Sequence, residues 1–309
     1  MSNSTPHLPW GAQALWEGLS PLLPGIRVEV LPRVESTNAR LLERARSSGG
    51  DADAPVTGPG DLDALSPAPR TPHGRRAGDI APTLLVAEQQ TRGRGRLGRS
   101  WVSSAGASLT FSLALPLAPA HWGGLSLAVG LALAEALDPL PAAQQAPARA
   151  RIALKWPNDL WLQDGPGRGR KLGGVLIELI SVGDRRLCVV GVGLNVLPLT
   201  GAAIDGLTHG YACLQEIDPQ ASAPAALARV AVPLVRALQH FESHGFAPRA
   251  QAYAARDLLR GQAVSTTAPE PLQGVAQGVD DQGALLVRTA VGEVHHVVSG
   301  EVSVRLGAG

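Results

Sequence analysis

The sequence predicts a mixed α/β fold of the α+β class followed by a small all-β unit, and three observations support this prediction. First, short segments with apolar residues at every second position, typical of strands, recur through the first two thirds of the chain. Second, the segment Gly123 to Leu137 is apolar almost throughout, which predicts a buried helix. Third, the sequence from Gln262 onward alternates glycine-rich turns with short apolar runs, as small antiparallel sheets do.

Length and composition set outer bounds on the architecture. With 309 residues, 45% of them hydrophobic, the chain can form about two domains, which we place at residues 1–260 and 261–309. No secretory signal is visible at the N-terminus, and Gly123 to Leu137 is shorter than the roughly 20 residues of a membrane span. Cys188 and Cys213 match no metal-ligand spacing. We therefore expect a soluble cytoplasmic protein with two reduced, buried cysteines that bind no metal, and no membrane contact.

The first predicted strand contains Ile26, Val28 and Val30, and a helix with apolar residues from Ala39 to Ala45 follows it. Between them stand Ser36, Thr37 and Asn38, each of which can cap the helix. Since one capping residue suffices, the others are available to hydrogen-bond a polar ligand. Residues 47–82 change to Gly, Pro, Ala, Asp and Arg without periodicity, which predicts a disordered insertion.

Strands are predicted at Leu84 to Val86 and Ser108 to Leu115, a helix at Leu125 to Leu137 and a loop at Pro139 to Ala150. Further along, Ala225 to Phe241 and Arg249 to Arg260 have helical spacing. We expect Pro233 to kink the first of these helices and Gly261 to cap the second.

The segment 89–101, QQTRGRGRLGRSW, is here called the arginine–glycine loop. It alternates Arg92, Gly93, Arg94, Gly95, Arg96, Gly98 and Arg99. Glycine lets the backbone approach a ligand and arginine offers a charged fork of donors, so the loop is suited to an anion. Its G-x-G-x-x-G match is followed by a strand, and no acid lies at Rossmann spacing, which excludes a dinucleotide fingerprint. A solvated loop and nucleic-acid binding are the alternatives; the net charge of +1 and 4% aromatic residues argue against the second.

A second group of polar residues follows the strand containing Ile152 and Leu154. A turn at Pro157 places the side chains of Lys155, Asn158 and Asp159 close together. Lys171, Gly173 and Gly174 come next and precede a predicted strand at 175–180. A turn near 183–184 leads to a second predicted strand at 187–192, whose end carries Gly191, Gly193 and Asn195. Each residue by itself would be an ordinary surface or turn residue, but their grouping with the arginine–glycine loop predicts a site.

The motifs ESTN (35–38), QQTRGRGRLGRSW (89–101), KWPND (155–159), KLGG (171–174) and GVGLNV (191–196) occur in this order. Together they resemble the motif set of biotin protein ligases, over about residues 26–196. The resemblance implies a catalytic domain like that of class II aminoacyl-tRNA synthetases, followed by a small SH3-like β-barrel. It also implies a C–N-forming ligase with biotin and ATP as substrates and Mg²⁺ as cofactor. Such an enzyme makes biotinyl-5′-AMP and pyrophosphate, then transfers biotin to a lysine of a biotin carboxyl carrier domain.

The same resemblance implies residue roles. Biotin would be bound by Ser36, Thr37, Asn38, Gln90, Arg94, Gly95, Arg96, Lys171 and Gly174. ATP and the adenylate would be bound by Arg94, Arg96, Trp101, Lys155, Asn158, Lys171, Gly191 and Asn195. The catalytic residues would be Lys171, Arg94, Arg96 and Asp159. No residue is assigned to the metal ion.

Three questions stay open at this point. About 25 residues precede the first strand, too few for the DNA-binding domain of bifunctional members, so we expect a monofunctional enzyme that binds no DNA. It would be a monomer or a homodimer. The C-terminal unit is either a structural appendage or a contributor to ATP or carrier binding; His295 and His296 in it should face opposite sides of a strand. Alternative functions are a ligase for lipoate or octanoate and a non-catalytic ligand- or RNA-binding module.

Overall fold

The structure is a computed structural model that describes residues 8–47, 56–57, 81–140, 151–199, 210–267 and 271–298, and the backbone of 304–306. The helices are α1 (Ala12–Leu19), α2 (Thr37–Ser47), α3 (Leu125–Leu137), α4 (Ala223–His244) and α5 (Ala250–Ala254), with 3-10 turns at Arg96–Gly98, Leu214–Glu216 and Ala247–Arg249. The strands are β1 (Arg27–Val34), β2 (Thr83–Gln90), β3 (Gly93–Arg94), β4 (Ser100–Trp101), β5 (Ser108–Pro116), β6 (Ile152–Lys155), β7 (Asp159–Gly165), β8 (Arg168–Val182), β9 (Arg185–Asn195), β10 (Ala263–Thr266), β11 (Gln273–Val279), β12 (Leu285–Arg288), β13 (Val294–Val297) and β14 (Val304–Leu306).

A seven-stranded sheet in the order β1-β2-β5-β9-β8-β7-β6 forms the centre of the molecule. The β1–β2 pair is parallel and its other pairs are antiparallel, which confirms the predicted mixed sheet. A five-stranded antiparallel sheet, in the order β13-β12-β11-β10-β14, follows toward the C-terminus and confirms the predicted small β unit. None of the described helices is long and apolar enough to cross a membrane.

Helix α3 is the predicted buried helix, with the predicted limits. It packs against α4 and against strands β6 and β8 of the large sheet, so most of its circumference is inaccessible to solvent. Leu131 and Leu133 are fully buried, which is the packing expected of a helix that is apolar on all sides. Cys188 and Cys213 are also buried, as predicted.

The C-terminal sheet joins the same apolar core as the large sheet. Ala276, Leu285 and Val287 are completely buried within it. The contact is close: a Cβ atom at Gly283 would lie 2.5 Å from the Cα atom of Gly124. The indole N–H of Trp156, in the KWPND turn, donates to the carbonyl of Gly283 at 3.0 Å. The C-terminal sheet therefore contacts the turn that carries predicted site residues.

The helices after residue 220 differ from their prediction. Helix α4 is longer than expected and continues through Pro233. The predicted helix Arg249 to Arg260 is wrong, because α5 ends at Ala254. The chain instead pairs with strand β6: Leu154 N donates to Arg256 O at 2.7 Å and Leu258 N donates to Leu154 O at 3.0 Å. These bonds satisfy the edge of the large sheet, which local helical propensity cannot anticipate.

Two predicted loop segments are covered only in part by the described residues. The insertion predicted at 47–82 lies mostly outside the described residues; within it, Ser47 ends α2 and Thr57 pairs with Leu179 of β8. The loop predicted at 139–150 is described only to Leu140. His295 and His296 lie in the edge strand β13, as expected. No group of three potential metal ligands occurs within the described ranges.

Asp257 lies beside the residues that pair with β6, and its burial predicts that the stability of the fold depends on pH. Burial raises the pKa of its carboxyl group from 3.8 to about 6, against the lowering effect of the Leu259 and Arg260 backbone N–H groups. Because the folded state binds this proton more tightly than the unfolded chain, stability falls as pH rises from about 4 to 6 and stays reduced above that range. At pH 8, urea denaturation should therefore give Asp257→Asn a free energy of unfolding about 1–3 kcal/mol higher than that of the parent. This gain should vanish at pH 4.

The matched control for this test is Asp281→Asn, because Asp281 is an exposed aspartate in the turn between β11 and β12. Its unfolding free energy should stay within about 0.5 kcal/mol of the parent at both pH values. If Asp257→Asn gains the same free energy of unfolding at pH 4 and pH 8, the effect does not come from the raised pKa of Asp257.

Candidate active site

Segments that are far apart in the sequence meet around one cavity of about 900 Å³. Every residue that the sequence analysis assigned to biotin, to the adenylate or to catalysis lies in its lining. The charged groups among the described lining residues are Arg94, Arg96, Arg99, Lys155, Lys171 and Asp159. Because cations outnumber carboxylates, the cavity is suited to a polyanionic ligand.

One end of the cavity is formed by the start of α2 and the end of β2. Ser36 Oγ accepts a hydrogen bond from the Ala39 N–H at 3.4 Å, so Ser36 is the residue that caps α2. Gln90 Oε1 accepts from the Thr37 N–H at 2.7 Å and lies 3.1 Å from Thr37 Oγ1. Ser36 therefore both caps α2 and lines the cavity, and Thr37 and Gln90 line the cavity beside this cap.

At the same end, the side chain of Asn38 hydrogen-bonds to three residues of the large sheet. Its amide nitrogen donates to Leu176 O at 3.1 Å and to Glu178 Oε2 at 2.8 Å, and its Oδ1 lies 2.6 Å from Ser112 Oγ. Gly191 faces it closely, because a Cβ atom there would lie 2.2 Å from Asn38 Oδ1. Asn38 thus uses its polar atoms within the protein, and Gly191 provides the space for it.

The arginine–glycine loop is folded as a small hairpin. Strands β3 and β4 pair with Gly93 opposite Trp101, where a Cβ atom at Gly93 would lie 2.3 Å from Trp101 O. At the tip, Leu97 has a φ of 56° and is exposed. The glycine at position 93 is therefore required by the close approach of the two strands.

Two arginines of the hairpin reach different parts of the cavity. Arg94 forms an ion pair with Glu178 of β8, with 2.9 Å between Nη2 and Oε1. Arg96 Nη1 lies 3.5 Å from Asn158 Oδ1, at the limit of a hydrogen bond. The hairpin is thereby connected both to the large sheet and to the KWPND turn.

The KWPND turn brings the third set of residues together. Asp159 is the register partner of Lys155 and of Gly174, and its Oδ1 lies 2.7 Å from Lys171 Nζ. At Gly174, a Cβ atom would lie 3.2 Å from Asp159 Oδ1, so the glycine leaves space beside the ion pair. The predicted grouping of these residues is confirmed as a spatial arrangement.

Lys155 is buried and is not the surface lysine that its sequence position alone would suggest. Its Nζ lies 4.8 Å from the centre of the Trp161 ring. Burial lowers the pKa of the Lys155 ammonium group; Lys171 and Arg99 lower it further, and Asp159 opposes them. The residue is therefore a desolvated cation inside the cavity, where its interaction with an anion is strengthened.

The remaining wall is formed by the end of β9. Asn195 Nδ2 donates to Lys171 O at 3.2 Å and to Ala212 O at 3.0 Å, which positions the backbone of Lys171. The Trp101 ring covers Gly193, where a Cβ atom would lie 2.5 Å from Trp101 Cε2. The indole N–H of Trp101 is buried and makes no hydrogen bond to any residue that the structure describes, so packing holds the ring.

Several residues of the site were not assigned a role from the sequence. Arg99 of the arginine–glycine loop, Tyr211 and Thr267 also line the cavity, and Ser112 and Glu178 lie behind it. Glu178 had a visible signal, since it is the one charged residue in the apolar run 175–180. Ser112 had none, because a small residue inside a strand does not stand out.

Two family models match the chain. The Biotin/lipoate A/B protein ligase family matches residues 78–195, and the Biotin protein ligase C terminal domain matches residues 261–305. Among curated proteins, the bifunctional ligase/repressor BirA of Salmonella typhimurium is 33% identical over 282 residues, which is 90% of this chain and 74% of that protein. The biotin–acetyl-CoA-carboxylase ligase of Mycobacterium tuberculosis is 32% identical over 293 residues, or 88% of this chain and 89% of that protein.

Among solved structures, the biotin protein ligase from Aquifex aeolicus in complex with biotin and ATP superposes with a TM-score of 0.64. The two sequences are 26% identical, and the match covers 91% of this chain and 99% of the Aquifex chain. The similarity therefore extends over both sheets of the fold.

Proposed function

The chain belongs to the biotin protein ligase family, and from that premise we propose that it activates biotin with ATP and transfers the biotinyl group to a lysine of a carrier protein. One observation carries the proposal: the residues of five separate motifs line a single cationic cavity of about 900 Å³. The carrier would be a biotin carboxyl carrier domain, and the reaction would take place in the cytoplasm.

In the first step, a biotin carboxylate oxygen attacks the α-phosphorus of ATP, and pyrophosphate leaves. Two anions must approach each other, so cations are needed to neutralise them and to stabilise the charge of the transition state. Lys171 and Arg96 would contact the reacting carboxylate and phosphate, and Lys155 the phosphates. Because Lys155 is desolvated, its charge would act more strongly than that of an exposed lysine.

In the second step, the amine of the carrier lysine attacks the biotinyl carbonyl, an amide bond forms and AMP leaves. The attacking amine must be neutral, and we assign Asp159 to accept or orient its proton. The hairpin of the arginine–glycine loop would cover the mixed anhydride meanwhile, since the anhydride hydrolyses in water.

Mg²⁺ would neutralise phosphate charge in the first step. The site fits an ion held mainly by the nucleotide, because Asp159 is the one carboxylate among the described lining residues. The other residues of the cavity act by binding and orienting the two substrates.

Pyrophosphate release from ATP and Mg²⁺, measured without a carrier, tests the proposal. We expect a burst of about one pyrophosphate per protein with biotin, and none with lipoate or octanoate. A burst with lipoate or octanoate alone would instead indicate the related ligase activity, which the first family match also includes. Silence with all three acids would contradict ligase activity, and salt-sensitive binding of RNA would then support the alternative of a binding module.

A further inference from the structure

A continuous chain of side-chain hydrogen bonds runs from the cavity into the large sheet. Thr37 Oγ1 lies 2.6 Å from Ser112 Oγ, which lies 2.6 Å from Asn38 Oδ1. Asn38 Nδ2 donates to Glu178 Oε2 at 2.8 Å, and Glu178 Oε1 pairs with Arg94 at 2.9 Å. Each of these residues except Arg94 is buried, so the chain is shielded from water.

The acceptors around Asn38 determine which atom donates in each of these hydrogen bonds. Asn38 Nδ2 faces the Leu176 carbonyl and the Glu178 carboxylate, which are both acceptors, so the orientation of the Asn38 amide is defined. Asn38 Oδ1 has no hydrogen to give, and the single hydroxyl hydrogen of Ser112 must therefore point to it.

The direction of the Thr37 hydroxyl follows. An oxygen–oxygen distance of 2.6 Å requires a hydrogen between the two atoms. Because Ser112 has already used its hydrogen, this one must come from Thr37. Thr37 Oγ1 and Gln90 Oε1, which lie 3.1 Å apart, then have no hydrogen between them. The cavity end formed by Thr37 and Gln90 therefore presents two neighbouring acceptors.

We propose that Glu178 and Ser112 act as positioning residues that hold Thr37 as a hydrogen-bond acceptor, and that this arrangement selects a ligand with an N–H group. The inference rests on the proposed function, since the ureido ring of biotin carries such N–H groups. The dithiolane of lipoate and the alkyl chain of octanoate carry none. Such ligands leave the Thr37 hydroxyl oxygen without a donor and leave Gln90 Oε1 with the Thr37 N–H as its one donor among the described residues, which is costly in a buried site.

Direct binding to Ser112→Ala tests this inference with two ligands. One is biotin. The other is its carbamate analogue, in which a ring oxygen replaces one of the two ureido N–H groups; both positional isomers are measured. In the parent, one isomer should bind about a hundredfold more weakly than biotin, because its oxygen faces the two acceptors. In Ser112→Ala, the Thr37 hydroxyl is released and can donate to that oxygen.

The expected result is a change of opposite sign for the two ligands. Biotin should bind Ser112→Ala about tenfold more weakly than the parent, while the carbamate analogue should bind it at least as well as the parent. Thr110→Val is the matched control, because Thr110 lies two residues away on β5, is buried, and donates to Ala87 O outside the chain. It should keep the preference of the parent.

Other outcomes are also decisive. Equal weakening of biotin and the analogue in Ser112→Ala would show a merely structural role and overturn the inference alone. Failure of the parent to bind biotin would overturn the proposed function as well. If Ser112→Ala does not fold, Glu178→Gln takes its place. Glutamine has one side-chain oxygen where glutamate has two, so it cannot accept from both Asn38 and Arg94 in the same arrangement. The preference for biotin over the carbamate analogue should then fall about tenfold. An unchanged preference in that variant would equally contradict the inference.

Discussion

Lys171→Ala should lose adenylate synthesis. Lys171 is the cation whose ammonium group lies in the cavity 2.7 Å from Asp159, with its backbone positioned by Asn195. If it contacts the carboxylate and the phosphate that become joined, its charge acts where negative charge grows in the transition state. Loss of one such group costs about 10²–10³ in rate, or roughly 3–4 kcal/mol. Single-turnover release of pyrophosphate with saturating biotin and ATP measures the effect.

Arg170→Gln is the matched control for that variant. Arg170 is adjacent on β8, but its guanidinium pairs with Asp164 and Glu216. Its loss removes a positive charge from the same strand without removing a predicted contact to the substrates. We expect adenylation by Arg170→Gln within about threefold of the parent. Near-normal pyrophosphate release by Lys171→Ala would remove Lys171 from the reaction.

Gly193→Ala should raise the KM for ATP about a hundredfold while the KM for biotin changes much less. The added Cβ atom would lie 2.5 Å from Trp101 Cε2 and 2.7 Å from Trp101 Cζ2, so the indole must move. If Trp101 packs beside the adenine, its displacement misplaces the nucleotide, and a shift of about 1 Å can cost a factor of 10². Steady-state kinetics with each substrate varied in turn provides the measurement.

The control for steric effects in the same sheet is Gly165→Ala. Gly165 ends β7, and a Cβ atom there would meet nothing within 4 Å. That variant should keep both KM values. If Gly193→Ala and the parent share the same KM for ATP, Trp101 does not pack against the nucleotide. Equal urea midpoints for the two glycine variants would show that the ATP effect is local.

The local elements of the fold could be read from the sequence where one pattern was strong. Helix α3 has its predicted limits because thirteen consecutive residues lack the polar face of a surface helix. The limits of α5 could not be predicted, since helical propensity continues to Arg260 while the backbone of Arg256 and Leu258 pairs with Leu154. That pairing joins residues about a hundred positions apart, which local patterns do not contain.

By itself, the sequence determined the family, the mixed fold and the residue types of the site, because the motifs carry charges and glycines at characteristic positions. Only the tertiary structure decided what each residue contacts. It placed Asn38 and Gly191 against each other, buried Lys155, and connected Glu178 to Thr37 through Ser112. The physical reason is that hydrogen-bond partners and desolvation depend on groups from distant strands, which become neighbours only when the sheet forms.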